Sequence, residues 1–206
     1  MIEKNRWLAW AKELQFLSQC ALAYCDDVYD IERFKRIREI SAEMVSQIAD
    51  MPVAEARALF CGETGYQTPK IETRAAVFGD GGILLVQERD GLWCLPGGWV
   101  DHDQSVGRNA VKEVFEEAGM TVRAARIIAL QDRNRHHAQP TVHEICSVFV
   151  LCEYVSGSFA PNIETVGCGY FPLGALPELC EGKTTREQIE MCFRAAADPD
   201  WQTLFD

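Results

Sequence analysis

The sequence of 206 residues has few basic residues for its size. Its 20 Lys and Arg stand against 31 Asp and Glu, which gives a formal charge of −11. This balance argues against a general nucleic-acid binder, which needs a basic face, so we expect no nucleic-acid partner. A small anionic substrate is still compatible with the charge, because a divalent metal ion can bridge acidic side chains to phosphate.

Long apolar runs and cysteine motifs are also missing. The longest apolar stretch, residues 145–152, contains Ser147 and is far shorter than the roughly 20 residues that span a bilayer. The start, MIEKNRWLAWAKELQ, carries charges where a signal peptide has its apolar core. The nine cysteines form no Cys-x-x-Cys pair and follow no zinc-ligand spacing. We therefore expect reduced cysteines in a cytoplasmic protein without membrane contact.

The first sixty residues have apolar side chains at three- and four-residue steps, which predicts helices. One stripe comprises Trp7, Trp10, Leu14, Leu17 and Ala21, and a second comprises Phe34, Ile37, Ser41, Met44 and Ile48. Residues 53–60 form a third short segment after Pro52. Helices this small bury little alone, so we interpret the Trp7/Trp10 stripe as core or as a subunit contact and expect a homodimer. Residues 61–70 are typical of a linker, which suggests a helical domain at 1–66 and a second domain at 67–206.

The second domain alternates strands with turns. Strands are predicted at residues 71–78, 83–88, 93–95, 120–130, 143–153 and 164–171. A helix is predicted from the N-cap Ser105 to Gly119, and a final helix opens at Thr184 with Glu187 three residues on. This order favours an α/β fold in which a mixed sheet is sandwiched between helices.

Three glutamates mark the helix that follows Ser105. Glu113, Glu116 and Glu117 lie at i, i+3 and i+4 and therefore share one helix face, near the negative end of the helix dipole. A hard divalent cation would offset their repulsion, and Gly97-Gly98 lets backbone carbonyls approach such an ion. A solvated acidic helix face is the alternative, and the spacing alone does not decide between them.

This segment resembles the sequence box of the Nudix hydrolase family, G-x5-E-x7-R-E-U-x-E-E-x-G-U, where U is a bulky aliphatic residue. The matching residues are Gly98, Glu113, Val114, Glu116, Glu117, Gly119 and Met120. Residues 1–60 and the segments KIETRAAVF, DRNRHH, PNIET and TTREQI are similar to one Nudix subgroup. That subgroup has an N-terminal helical domain and acts on nucleoside diphosphates linked to a moiety X, as in ADP-ribose or CDP-choline.

Two positions depart from the family box. Gln104 stands where the family has its first Glu, and Lys112 stands where the family has Arg. In the family these two residues are understood to brace the loop against the helix. Gln104 is a neutral acceptor and Lys112 a point charge, so we expect their mutual contact to survive in weaker form while the metal-facing glutamates remain.

The resemblance implies a Nudix-type α/β/α sandwich and a metal-dependent hydrolysis. Mg²⁺ or Mn²⁺ would be held by Glu113, Glu116, Glu117 and the carbonyl of Gly98, and would activate a water molecule. The water would attack the diphosphate and give a nucleoside monophosphate and X-phosphate. The general base is either a box glutamate, Glu113 or Glu116, or the distant Glu164.

Several polar or aromatic residues are candidates for substrate contacts: Arg74, Trp99, Arg133, His136 and His137. A surface strand residue is the alternative for Arg74, core packing for Trp99 and a solvated loop for the others. The resemblance implies that the small-molecule partner is a nucleoside diphosphate derivative. A module that senses such a nucleotide without cleaving it is the alternative function that Gln104 and Lys112 leave open. A capped RNA end as substrate is disfavoured by the acidic charge.

Overall fold

The computed structural model describes residues 2–206, with side chains from Asn5 onward. It divides into two compact units, each described by itself. The helical unit comprises the chain up to Pro69 together with Pro140–Glu144, and the sheet unit comprises Lys70–Gln139 and Ile145–Asp206. These compact units do not test the boundary between two functional domains that we predict after residue 66, which stays a prediction.

Three helices build the helical unit: α1 (Ile2–Tyr24), α2 (Val28–Ala49) and α3 (Val53–Phe60). The Asp27 carboxylate caps α2 by accepting the N–H groups of Tyr29 and Asp30. The core of this unit contains Leu8, Ala11, Val45, Ala56 and Phe60. No helix within residues 2–206 is long and apolar enough to cross a membrane.

The apolar stripes predicted on α1 and α2 differ in how far they are buried. The α2 stripe faces inward, with Ser41 buried and its apolar members half-buried. On α1 the buried face is formed instead by Leu8, Ala11 and Gln15, whereas Trp7 and Trp10 are 47% and 45% exposed. The interpretation of the tryptophan stripe as core is therefore wrong. Ala11 is fully buried and shares a core with Val45 of α2, whereas the two indoles lie outside this core.

The sheet unit contains one mixed seven-stranded sheet. Its strands are β1 (Lys70–Gly79), β2 (Gly82–Glu88), β3 (Trp93–Cys94), β4 (Met120–Asp132), β5 (Ile145–Gly157), β6 (Thr165–Phe171) and β7 (Leu204–Phe205). The order is β3-β2-β1-β5-β4-β7, and β6 pairs with β2. β1 is parallel to β5, and β4 is antiparallel to β5. The predicted mixed sheet is confirmed.

Helices cover both faces of this sheet. The helix α4 (Val106–Ala118) buries Ala110 and Val114 against one face, and α6 (Arg186–Ala197) buries Ile189 and Cys192 against the other. A one-turn helix, α5 (Arg133–His136), follows β4. The architecture is the α/β/α sandwich expected from the pattern and from the family resemblance.

The helix ends follow the predicted signals with one correction. Ser105 caps α4, and Gly119 ends it in the left-handed conformation with φ 67°. The capping box of α6 is formed by Thr185 and Gln188, not by Thr184 and Glu187. The prediction was one residue early because the Thr184 hydroxyl is buried and accepts the N–H of Leu95.

The segment between β3 and α4 pairs with β1 like an additional strand. The N–H of Ala75 donates to the Pro96 carbonyl at 2.8 Å, and the N–H of Thr73 donates to the Gly98 carbonyl at 2.9 Å. Between these bonds, Gly97 has φ 152°, and a Cβ there would lie 1.9 Å from the Thr73 carbonyl oxygen. Only glycine fits this approach, so the loop is held flat against the sheet.

Candidate active site

The loop that contains Gly97 and Gly98, between β3 and α4, is called the glycine loop. It meets the glutamate face of α4, which carries Glu113, Glu116 and Glu117. Glu113 and Glu117 are buried, whereas Glu116 is exposed. The Gly97 N–H donates to Glu117 Oε2 at 3.0 Å. A Cβ at Gly98 would lie 3.0 Å from Glu113 Oε2, so the absence of a side chain lets the loop lie directly against this carboxylate.

Burial makes both inner carboxylates hard to ionise. It raises the pKa of Glu117 to about 7, against the opposing influence of the Gly97 N–H and the Arg74 guanidinium. The pKa of Glu113 is raised too, chiefly by burial and then by the charge of Glu116. The charge of Glu164 contributes in the same direction at both sites. The arrangement therefore gathers negative charge where solvent screens it poorly.

Lys112 lies among the carboxylates of this face. Its Nζ is 3.0 Å from Glu116 Oε2, 3.2 Å from Asp101 Oδ2 and 3.5 Å from Glu113 Oε1. The pKa of Lys112 is raised, first by its hydrogen bond to Glu116. Gln104, in contrast, donates to Asp103. The predicted Gln104–Lys112 contact is thus wrong, because a neutral amide competes poorly with carboxylates for an ammonium group.

The donor chemistry of the site suits a hard divalent cation. Carboxylate and carbonyl oxygens are the ligands that Mg²⁺ and Mn²⁺ prefer. A bound cation would also stabilise the ionised forms of Glu113 and Glu117, which burial disfavours. In the described part of the chain, no group of three or more His, Cys, Asp or Glu side chains is arranged to hold a metal. The glutamates instead contact Lys112 and Gly97. The Gly98 carbonyl already accepts the Thr73 N–H, which leaves its second lone pair.

Arg74 lies beneath the glycine loop and is only 4% exposed. One terminal nitrogen donates to the Gly97 carbonyl at 2.9 Å, and the other forms an ion pair with Glu72 at 2.8 Å. Ser147 donates to the second oxygen of Glu72 at 2.6 Å. The alternative of an exposed strand residue is excluded for Arg74, and its observed contacts position the loop.

Arg133 and His137 are also buried, near the start of α6. Arg133 donates to the Gly182 carbonyl, and its other terminal nitrogen, Nη1, is buried without a hydrogen-bond partner among the described residues. Burial lowers the pKa of Arg133, and the charge of Arg74 adds to this. His137 lies 2.7 Å from the Glu181 carbonyl through Nδ1 and 3.2 Å from the Gln188 amide nitrogen through Nε2. Burial lowers the pKa of His137, which favours its neutral form.

The remaining predicted site residues are more exposed. Trp99 is half-exposed next to the glycine loop. His136 Nε2 lies 2.6 Å from Asp206 Oδ2. Glu164 is exposed, and its backbone N–H donates to the side chain of Asn162. Asn162 and Thr165 also donate to the Glu117 carbonyl, so this turn is fixed to the end of α4.

Sequence reasoning missed three residues that organise this region: Glu72, Asp101 and Asn162. Asn162 could have been noticed, because an Asn side chain often accepts the backbone N–H two residues later in a turn, as it does here from Glu164. The Glu72-x-Arg74 spacing places both side chains on one face of a strand and also could have been noticed. The contact of Asp101 with Lys112 depends on tertiary packing and had no local signal.

Comparison with known proteins assigns the chain to a family. A model described as the NUDIX domain matches residues 68–191, and a model described as a UDP-X-like N-terminal oligomerisation domain matches residues 5–60. The chain belongs to the Nudix family. It is an enzyme of the pyrophosphohydrolase class, whose members generally need divalent metal ions.

Three relatives show how far the similarity extends. YjhB of Bacillus subtilis (strain 168), provisionally named an ADP-ribose pyrophosphatase, is 36% identical over 204 residues, 98% of each chain. The crystal structure of an ADP-ribose pyrophosphatase from Streptococcus suis 89-1591 is 50% identical with a TM-score of 0.63, and covers 68% of this chain and 100% of its own. A UDP-X diphosphatase structure is 27% identical with a TM-score of 0.63, and covers 98% of both chains.

The raised pKa of Glu117 predicts that Glu117→Gln stabilises the Nudix fold at alkaline pH. The folded pKa of about 7 lies above the ordinary 4.5, so the unfolded chain ionises first and stability falls between these pH values. The upper bound of this loss is about 3 kcal/mol. Thermal unfolding in EDTA checks it: we expect a higher Tm for Glu117→Gln at pH 8 and a much smaller difference at pH 5.

The matched control for this prediction is Glu187→Gln, which changes an exposed glutamate in the first turn of α6. It should leave the Tm at pH 8 almost unchanged. Equal Tm values for Glu117→Gln and the unaltered chain at pH 8 would contradict the burial argument.

Proposed function

We propose that the chain hydrolyses the diphosphate linkage of a nucleoside diphosphate joined to a moiety X, of the ADP-ribose or CDP-choline type. The products are a nucleoside monophosphate and X-phosphate. The observation that carries the proposal is the pair of buried carboxylates, Glu113 and Glu117, held against the glycine loop. The names of the relatives from B. subtilis and S. suis support ADP-ribose, and the UDP-X diphosphatase supports the wider class.

Glu113, Glu116, Glu117 and the Gly98 carbonyl are proposed to hold Mg²⁺ or Mn²⁺. The bound metal would neutralise the diphosphate and lower the pKa of a water molecule. Burial of Glu113 and Glu117 supports this assignment, because buried carboxylates interact more strongly with a cation than solvated ones do. The exposed Glu116 can adjust its side chain without disturbing the core.

Glu164 is the proposed general base, with Glu113 or Glu116 as the alternative. Its carboxylate is close enough to raise the pKa of both Glu113 and Glu117. Its backbone is fixed through Asn162 to the end of α4, while its side chain is exposed. A fixed backbone with a free carboxylate suits a group that accepts a proton from water and passes it to solvent.

Arg133 is proposed to bind an anionic group of the substrate. Within residues 5–206 its buried Nη1 has no hydrogen-bond partner, and a phosphate oxygen would provide one. Arg74 supports the loop from below, and its Nε also has no partner among those residues. His137 holds the segment after Arg133 in place. The exposed Trp99 and His136 are proposed to contact the nucleobase or the ribose.

Hydrolysis is tested by incubating the chain with Mg²⁺ or Mn²⁺ and a panel of ADP-ribose, CDP-choline, nucleotide sugars and dinucleotides. Monophosphate release, measured by phosphatase coupling, should occur with at least one member. Glu113→Gln, Glu117→Gln and Glu164→Gln should each lower kcat by roughly 100-fold or more, because each removes a charge from the reacting centre.

The control for the glutamate variants is Glu187→Gln, which should retain full turnover. Binding of a panel member without any monophosphate release would favour the nucleotide-sensing alternative. Full turnover in both Glu113→Gln and Glu117→Gln would contradict the site assignment.

A second prediction compares Arg133→Gln with Arg135→Gln. Each variant removes one positive charge. Arg133 is buried, whereas Arg135 two residues later is exposed, so only the environment of the lost charge differs. Loss of a charge-assisted hydrogen bond of about 1.5–3 kcal/mol corresponds to a roughly 10- to 100-fold rise in KM for Arg133→Gln. Steady-state kinetics should show at most a twofold effect for Arg135→Gln, and equal effects would exclude a specific role for Arg133.

The homodimer is proposed to form through the outward face of α1. Trp7, Trp10, Leu14, Leu17, Ala21 and Tyr24 recur in alternating three- and four-residue steps, which is the spacing of a helix–helix seam. Four of them, Trp7, Trp10, Leu17 and Tyr24, are exposed. The description of the matching N-terminal family model as an oligomerisation domain supports a second copy as the occupant.

Trp10→Glu is expected to weaken this dimer. A charge buried in an apolar seam is costly, whereas the indole is exposed in the single chain, so the fold should be retained. Sedimentation equilibrium should show monomers at concentrations where the unaltered chain is dimeric. Phe205→Glu, which changes an exposed aromatic on β7, is the control and should remain dimeric.

Two remaining proposals concern organisation and location. We place the boundary between the oligomerisation domain and the hydrolase domain after residue 66, between the two family matches that end at 60 and begin at 68. All nine cysteines are unpaired. This is in keeping with the reducing cytoplasm, which we propose as the compartment.

A further inference from the structure

We propose that Asp101 is the positioning residue that holds Lys112 in place on the glutamate face of α4. In the Nudix family this role is understood to belong to the residue at position 104. The proposal rests on the proposed function of the glutamate face. The juxtaposition that carries it is the Asp101 carboxylate 3.2 Å from the Lys112 ammonium, which in turn contacts Glu116 and Glu113.

The backbone of Asp101 is fixed between the glycine loop and α4. Its N–H lies 3.4 Å from the side-chain oxygen of the buried Asn109, and its carbonyl accepts the N–H of Gln104 at 2.9 Å. Asn109 also donates to Thr73 on β1 at 2.9 Å. The Asp101 carboxylate is therefore presented to Lys112 from a rigid support, which limits the entropy lost on forming the ion pair.

Position 104 does not take this role in the present chain. The Gln104 amide is neutral and donates to Asp103 at 3.3 Å. A carboxylate three residues earlier in the loop replaces it as the partner of the basic residue. The replacement of Arg by Lys agrees with this change, because an ammonium group can donate in three separate directions, whereas a guanidinium offers a planar fork.

The partition of Lys112 between these carboxylates has a consequence for cation binding. With Asp101 present, the ammonium charge is shared between the loop and the two glutamates. Without it, the ammonium would rest on Glu113 and Glu116 alone, where it opposes a divalent cation. Asp101 thus raises the affinity of the glutamates for the metal by withdrawing Lys112 from them.

The test compares Asp101→Asn with Asp103→Asn in the full chain. Both variants remove one negative charge from the same exposed loop, but only Asp101 contacts Lys112. The readouts are the Kd for Mn²⁺, measured by electron paramagnetic resonance, and the Tm in EDTA. We expect Asp101→Asn to weaken Mn²⁺ binding by about threefold to tenfold, with less than twofold for Asp103→Asn.

Two second variants separate positioning from a general loss of structure. Asp101→Asn combined with Gln104→Glu should recover part of the Mn²⁺ affinity, because the carboxylate is restored at the family position. Asp101→Glu, which keeps the charge, should bind Mn²⁺ within twofold of the unaltered chain. A fall in Tm of several degrees, with neither variant recovering affinity, would overturn the proposal.

Two other outcomes are decisive. Equal weakening by Asp101→Asn and Asp103→Asn would show that only the net charge matters, and would overturn the positioning role while leaving the proposed function intact. A lack of Mn²⁺ binding by the unaltered chain would overturn the proposed function and this inference with it.

Discussion

The pairing of the glycine loop with β1 is the constraint on which the site depends. Thr73 and Ala75 donate their N–H groups to the carbonyls of Gly98 and Pro96, and this brings the backbone of Gly97 so close to Thr73 that any side chain would collide with the strand. A loop held flat in this way can present the Gly97 N–H to Glu117 and allow Glu113 to approach Gly98. The positions of the two buried carboxylates follow from a backbone contact, not from their own helix alone.

Burial of acid then organises the charges around that loop. Two carboxylates that would be ionised in water have raised pKa values, and the neighbouring positive groups are placed to limit the cost: Arg74 below the loop and Lys112 beside it. Arg74 is itself neutralised by Glu72, so little of its charge is left to attract a substrate. Arg133, whose Nη1 has no hydrogen-bond partner in the part of the chain that the structure describes, has more capacity for an anion. Arg74 therefore supports the loop, and Arg133 is the arginine that we propose for substrate binding.

Local signals predicted the elements of the sheet unit well. Ser105 and Gly119 carry their own start and stop chemistry, and the alternating runs around Asp80–Gly81 define a hairpin without reference to the rest of the chain. The hydrogen-bond and ion-pair partners of individual side chains were harder to predict than the helices and strands. Gln104 and Lys112 were recognised as departures, but which carboxylate replaces the missing Glu depends on how the loop turns after Gly98. For the α1 stripe, helical spacing shows that the residues share a face but not which surface that face contacts, so the sequence alone could not choose between core and subunit contact.

The meaning of Gln104 and Lys112, the two departures from the Nudix box, also depends on which partners these side chains have in the structure. A single neutral Gln at position 104 would indicate a weakened brace if the basic residue had no other partner. Asp101 supplies one at 3.2 Å, and Lys112 has the geometry to use it together with Glu116 at 3.0 Å. The Asp101 carboxylate therefore keeps Lys112 paired with the loop although position 104 is neutral. The contact between the loop and α4 is thus present despite the two departures, and they give no reason to regard the glutamate face as inactive.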